Sequence, residues 1–311
     1  MKTKIFNLFT IIMSIFTLIQ LLIAREIISI AIINALNMWV HNLIPALFPF
    51  FIISDILINY NITSYIPRII KKICKQGFNI TDDMLTIFFL SMISGFPSNA
   101  RNTRTLYDKG KIDVNEANHI LIFTHFANPI FILTTIGIFF LHDKRAGIIL
   151  LMTHYFSNIV LGICFRNIFK HSSGKDFNNF QYDDFGSIFI SAIKRAIDVV
   201  LTICGIVVVF SIIATIIINT FNFNLYNQAI IKGLFEITIG IEALSKLSLN
   251  LNYKLIISSM FLAFGGLSVH IQVYSQIVGT KIKYSYFFIG RIYQMIIAGI
   301  FTFFICLVLG I

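Results

Sequence analysis

Charge is scarce in this chain. Asp, Glu, Lys and Arg make up 12% of its 311 residues and hydrophobic residues 57%, whereas soluble domains carry about 25% charged residues. A soluble core of this length cannot hide so much apolar surface, so a water-soluble globular domain is excluded. Acidic residues are the scarcest: 14 Asp and Glu stand against 24 Lys and Arg, for a formal net charge of +10. The basic residues flank apolar runs, as the positive-inside bias of membrane proteins requires, and form no single stripe, which excludes nucleic acid as a partner. Cysteine is limited to Cys74, Cys164, Cys204 and Cys306, with no Cys-x-x-Cys and no Cys/His cluster. That excludes a disulfide framework and a zinc site, and reads the thiols as small buried hydrophobes. Also missing are a Ser/His/Asp order, a metal-type His/Glu spacing and a glycine-rich phosphate loop. No enzyme activity, cofactor or metal is therefore expected.

What the chain does have is long charge-free sequence rich in isoleucine and in phenylalanine, of which there are 33. An AT-rich genome favours the same codons, but codon bias does not produce charge-free runs. An all-α polytopic membrane protein is predicted. Two polar stretches interrupt it, Ser94-Gly95-Phe96-Pro97-Ser98-Asn99-Ala100-Arg101 and Gly265-Gly266-Leu267-Ser268-Val269-His270-Ile271-Gln272. The runs before them, 84–93 and 255–264, are too short to cross a bilayer, which takes about 20 apolar residues at about 1.5 Å each. Broken backbone at membrane depth survives only where protein or a water-lined cavity satisfies it. Paired breaks in the two halves of one chain point to the binding site of a transporter.

The chain divides into an N-terminal anchor and interfacial helix (1–42), a first membrane repeat (43–168), a cytoplasmic linker (169–196) and a second repeat (197–311). Lys2 and Lys4 open the first span as a signal peptide would, but no small-residue cleavage site follows, so it is read as a retained anchor. Pro45 and Pro49 predict a kinked helix at 43–58, and 60–83 reads as a cytoplasmic loop holding Arg68, Lys71, Lys72 and Lys75. Asn128-Pro129 interrupts another span, and 230–247 reads as one apolar helix containing Glu236 and Glu242. Charge alternation places 166–195 inside and Asn219 outside. The second repeat would then be inverted relative to the first, with helix–break–helix elements at 84–107 and 255–277 whose tips meet near mid-membrane. Leu47-Phe48 with Asp55 and Leu57 recurs weakly as Leu234-Phe235 with Glu242 and Leu244.

Four segments follow one another as a recognisable set. They are Leu43-Ile44-Pro45-Ala46-Leu47-Phe48-Pro49-Phe50-Phe51; Ser94-Gly95-Phe96-Pro97 with Ala100, Leu106, Gly110, Ile112, Glu116 and Ala117; Gly233-Leu234-Phe235-Glu236-Ile237-Thr238-Ile239-Gly240 with Leu244-Ser245; and Phe264-Gly265-Gly266-Leu267-Ser268-Val269-His270-Ile271-Gln272-Val273. In this order they resemble the motifs of the YlbJ family of sporulation integral membrane proteins, and through it the nucleoside-recognition, or Gate, domain. The resemblance runs from about Trp39 to the C-terminus. His125 and Phe126 depart from it, standing where the family often has small polar residues, and Ser98-Asn99 replaces an apolar residue followed by glycine. The resemblance implies transport of dipicolinic acid out of the mother cell, by a multi-pass protein of the mother-cell-derived outer forespore membrane. A nucleoside or other small-solute transporter and a non-transporting sporulation scaffold are the alternatives.

A helix that restarts after a membrane break turns unpaired N–H groups and partial positive charge toward the break. Two restarts facing each other would cradle an anion. The candidate substrate contacts are Ser94, Gly95, Ser98 and Asn99 at the first break, Gly265, Gly266, Ser268, His270 and Gln272 at the second, and Asn128 at its own interruption. The serines and glycines equally suit close helix packing. Arg101 offers a guanidinium to a carboxylate or snorkels to the interface, the role expected of Arg104. Glu236 is expected to face the interior near the breaks, because a lipid-facing carboxylate costs about 2.5–3.5 kcal/mol. There it would bind a coupling proton or sodium ion, pair with Arg101 or contact substrate. His270 either titrates in coupling or is a satisfied structural donor. His41, His119, His142, His154 and His171 read as interface or loop residues, and Asp55 as the end of its kinked helix. The partners expected are a small anionic solute, a coupling ion and the lipid bilayer, with room for an oligomer.

Overall fold

The computed structural model describes residues 2–60, 62–169 and 184–310. These residues form helices and no strand, as backbone in lipid must pair within its own segment or close into a barrel. In chain order the helices are α1 (Lys2–Ile23), α2 (Arg25–Met38), α3 (Ile44–Asn59), α4 (Arg68–Phe78), α5 (Asp82–Ser94), α6 (Ser98–Asp108), α7 (Val114–Phe123), α8 (Lys144–Cys164), α9 (Phe185–Phe221), α10 (Leu225–Phe235), α11 (Ile237–Ser245), α12 (Leu251–Phe264), α13 (Gly266–Ile277) and α14 (Tyr284–Leu309). A π-helix, Phe131–Phe140, lies between α7 and α8. Among the described residues, 25–59, 144–164, 185–221, 251–277 and 284–309 are long and apolar enough to cross a membrane.

Several expected boundaries move. A π-helical turn, Trp39–Leu43, joins α2 to α3 without a gap, so the division after residue 42 falls inside one helical stretch. The wider turn lies just ahead of Pro45 and Pro49, where the i→i−4 ladder has to loosen. The basic loop at 60–83 contains α4, whose Arg68, Lys71 and Lys72 share a helix with exposed Ile69 and Ile73, the pattern of a helix lying in the membrane interface. Half of the 169–196 linker, with Lys170, His171 and Lys175, lies outside the described residues. Its end does not: α9 starts at Phe185, so Lys194 and Arg195 are helical.

The helix expected at 230–247 is two helices folded back on each other. Glu236 alone leaves helical geometry, at φ −144° and ψ 117°, and α10 and α11 pack together across it. Glycines allow this approach: a Cβ on Gly240 would lie 2.1 Å from the Gly233 Cα. Gly240→Ala is therefore expected to destabilise the hairpin by about 1–3 kcal/mol, read as a lower melting temperature in detergent. An unchanged melting temperature would show that α10 and α11 do not pack through Gly240.

Position in the bundle follows burial. The most apolar windows of α9 and α14 are 28% buried, whereas that of 251–277 is 72% buried. The first two present Leu201, Val209, Phe303 and Leu307 outward, where lipid is the natural solvent. The broken segment 251–277 is central. Its two halves diverge: α12 packs on α14 and α8, while α13 packs on α6 and α9.

Candidate functional site

The breaks expected at Gly95 and Gly265 are both present. The first comprises Gly95, Phe96 and Pro97, with a cis Phe96–Pro97 peptide, and the second is Gly265. Each needs glycine, since Gly95 has φ +77° and Gly265 φ +90°, conformations closed to most side chains. A third break, at 124–128, lies beside the predicted Asn128-Pro129 interruption. The fourth is Glu236.

These breaks come together. A Cβ on Gly95 would lie 2.6 Å from the Asn128 backbone nitrogen, and one on Gly265 would lie 3.0 Å from His125 Nε2. The Phe96 ring stacks on His125 with centroids 4.7 Å apart. A cavity of about 20 Å³ is lined by Phe96 and Asn128 from two breaks, by Glu236 and Thr238 at the hairpin tip, and by Val269 and Gln272 from α13. That volume admits about one water-sized body.

Backbone exposed at the breaks is met by side chains. The Ser94 hydroxyl lies within hydrogen-bonding distance of the Leu90 carbonyl (2.6 Å) and of the Ser98 hydroxyl, and the Ser98 hydroxyl within reach of the Gly95 carbonyl, so two protons serve three contacts. Asn128 Nδ2 donates to the Ile93 carbonyl (3.1 Å), while its Oδ1 accepts from the Ile130 N–H (2.9 Å). The interruption thus closes the first break with one hand and caps the helix that follows with the other. His270 Nε2 donates to the Phe264 carbonyl (3.0 Å) and Nδ1 accepts from the Tyr284 hydroxyl (2.6 Å). Of the two roles expected for His270, the geometry is that of the satisfied structural donor.

Other candidates retain free hydrogen-bonding capacity. Asn99 is fully buried with neither amide atom paired, and the Ser268 hydroxyl is buried without a partner. Both sit in the first turn of the helix that restarts after a break, α6 and α13, and those helices pack against each other. Gly266, with φ +62°, opens α13. Glu236 is 3% exposed, as expected for an interior carboxylate. Its Oε2 accepts from the Ile239 N–H (2.8 Å) and its Oε1 from the Thr238 hydroxyl (3.2 Å), so it is the N-cap of α11. No cation among the described residues lies within ion-pair distance of it.

Two arginines are placed differently from expectation. Arg101 does not reach Glu236: its Nη2 pairs with Asp55 Oδ1 at 2.9 Å, and Arg195 of α9 pairs with Asp55 Oδ2 at 2.5 Å. Asp55 lies inside α3 instead of ending it, and is 3% exposed. Arg104 bonds to Asp108 and donates to the Val278 carbonyl (2.9 Å) just beyond α13. There it meets the negative end of the helix dipole and ties α6 to α13, in place of free snorkelling.

His119 and His154, read as interface or loop residues, are fully buried. His154 Nε2 accepts from the Ala127 N–H (2.9 Å), and Asn158 donates to the His125 carbonyl (2.8 Å), so α8 satisfies the backbone of the third break. Arg291 and Gln294 of α14 are also fully buried. A charged residue inside the apolar closing helix marks Arg291 in the sequence.

Over 306 aligned residues the chain is 27% identical to the sporulation integral membrane protein YlbJ of Bacillus subtilis (strain 168), covering 86% of this chain and 75% of the relative. This similarity supports the YlbJ-family resemblance of the four motifs. The similarity to an integral membrane protein and the several apolar helices support a multi-pass membrane protein. No family model matches the chain, so kinship with the nucleoside-recognition domain rests on the resemblance of residues. No solved structure matches it either.

Proposed function

We propose that this YlbJ-like protein carries a small organic anion, dipicolinate, across the outer forespore membrane during sporulation, and that it works as a carrier and not as an enzyme. The observation that carries the reading is the convergence of broken helices, which sets Phe96, Asn128, Glu236 and Gln272 around one buried cavity. A scaffold has no use for so much polar backbone and side chain at its centre, each group costly to bury. Asn99 and Ser268 supply unpaired groups at two helix N-termini, where anions are favoured. The sporulation setting comes from the name of the Bacillus subtilis relative and from the ordered motifs, which also imply the ligand.

A flat dicarboxylate does not fit about 20 Å³, since ligand cavities run to about 300–1,000 Å³. A second cavity, of about 650 Å³, also borders the α10–α11 hairpin, lined by Asn34, Gln228, Lys232, Glu242 and Lys246. The hairpin thus contributes residues to both a cavity of ligand size and the smaller one at the breaks. In this mechanism its tip swings aside to admit substrate, and Glu236 takes up a proton or sodium ion as the anion binds.

Uptake of dipicolinate by proteoliposomes holding the purified protein tests the proposal. Asn99→Ala and Ser268→Ala are each expected to weaken uptake about tenfold, the size of a lost charge-assisted hydrogen bond of about 1.5 kcal/mol, without lowering the amount of protein in the membrane. No uptake by well-folded protein would overturn the carrier reading. Uridine carried in preference to dipicolinate would replace the substrate with a nucleoside.

A further inference from the structure

On the α8 and α14 side of the breaks lies a polar group that the proposed site does not use. Arg291 is fully buried, yet no carboxylate of the described residues lies within ion-pair distance of it. Its Nη2 donates to the Ile122 carbonyl (2.6 Å), in the last turn of α7, and its Nη1 donates to Gln294. The guanidinium also lies over the Phe287 ring, 5.1 Å from its centroid. Capping the end of α7 offsets part of the charge. Nε remains unpaired.

Two histidines beside it have unpaired donors as well. His154 accepts at Nε2 from Ala127, so the neutral imidazole carries its proton on Nδ1, and that nitrogen is buried without a partner. Neither ring nitrogen of His125 has a partner, which leaves one buried donor in either neutral tautomer. The two rings are 6.3 Å apart, and His125 lies 5.4 Å from Phe287, the ring beneath Arg291. Buried donors are nearly always paired in native proteins. Here the guanidinium's own Nε and one donor on each of two histidines are left unpaired, with no acid of the described residues within ion-pair distance of Arg291.

We infer that Arg291, with His125 and His154, forms a binding site for a carboxylate group. Arg291 supplies the charge and the histidines supply neutral donors. A metal cation is repelled by the guanidinium, and water would satisfy the donors while leaving the charge unmatched. The site adjoins both membrane breaks, because His125 stacks on Phe96 and lies against Gly265. The choice of ligand rests on the anion-carrier reading, but the test reads binding alone.

Equilibrium binding of dipicolinate and of its uncharged dicarboxamide would be measured on purified protein in nanodiscs. The wild type is expected to prefer the acid by about ten- to a hundredfold, and Arg291→Gln to bring that preference to within about threefold by weakening acid binding alone. Arg291→Lys, which keeps the charge, is expected to restore part of the preference, a rescue that a purely structural role would not produce. An undiminished preference in Arg291→Gln would overturn the site and leave the carrier reading intact. Failure of the wild type to bind the acid would also overturn it. Arginine-dependent binding without proteoliposome uptake would uphold the site and sink only the carrier reading. If Arg291→Gln does not yield folded protein, His125→Phe, which keeps a ring stacked on Phe96, is expected to cut the preference by about three- to tenfold. An unchanged preference in that variant would overturn the inference.

Discussion

Asp55→Ala is expected to cost about 3–5 kcal/mol of stability, because it strands a buried arginine without its counter-charge. Asp55 holds Arg101 at 2.9 Å and Arg195 at 2.5 Å, and so ties α3 to α6 and α9. The side chains of Asp55 and Arg101 are 4% and 9% exposed, whereas that of Arg195 is 46% exposed. Most of the loss therefore falls on Arg101, since Arg195 can be rehydrated. The double variant Asp55→Leu/Arg101→Met removes both buried charges and should recover most of the stability, as replacing a buried ion pair by apolar residues is often neutral. Thermal unfolding in nanodiscs measures both. Equal losses in the single and double variants would mean that packing, and not the charge pair, is the source. The same pairing means that Arg101→Ala should act through protein yield and stability before it acts through substrate affinity.

Glu236→Gln is expected to abolish concentrative uptake while sparing the hairpin. A glutamine oxygen can still accept from the Ile239 N–H, so the α11 cap survives, but the group no longer gains or loses charge. With an imposed potential of about 100 mV, one coupled charge is worth about 2.3 kcal/mol, so losing it should lower the attainable accumulation ratio by up to about fiftyfold. Downhill exchange of substrate should persist. Glu236→Ala removes the cap as well, and should cost about 0.5–2 kcal/mol of stability. Accumulation by Glu236→Gln equal to wild type, under either a proton or a sodium gradient, would remove Glu236 from coupling and return it to capping alone.

The breaks were legible in the sequence because lipid is an intolerant solvent. Where Gly95 and Gly265 interrupt an apolar run, the backbone has to be met by protein, and that demand is visible within a few residues. Glu236 was legible for a related reason: a carboxylate deep in apolar sequence has an interior place or a large cost. The hairpin around it was not. Local sequence at 230–247 is helical throughout, and only the packing of Gly233 against Gly240 shows that the chain reverses there. The same applies to Asp55, whose pairing with Arg101 and Arg195 spans segments far apart in sequence.

Membrane class, all-helical build and the two glycine breaks were determined by the sequence alone, because hydropathy and backbone satisfaction act over single turns and single spans. Tertiary structure decided which breaks meet, which arginine is neutralised and which is not, and that His154 lies at the centre and not at an edge. Those outcomes depend on which side chains face one another across helices, and a charge or an imidazole reads the same in a sequence whether its partner is present or missing.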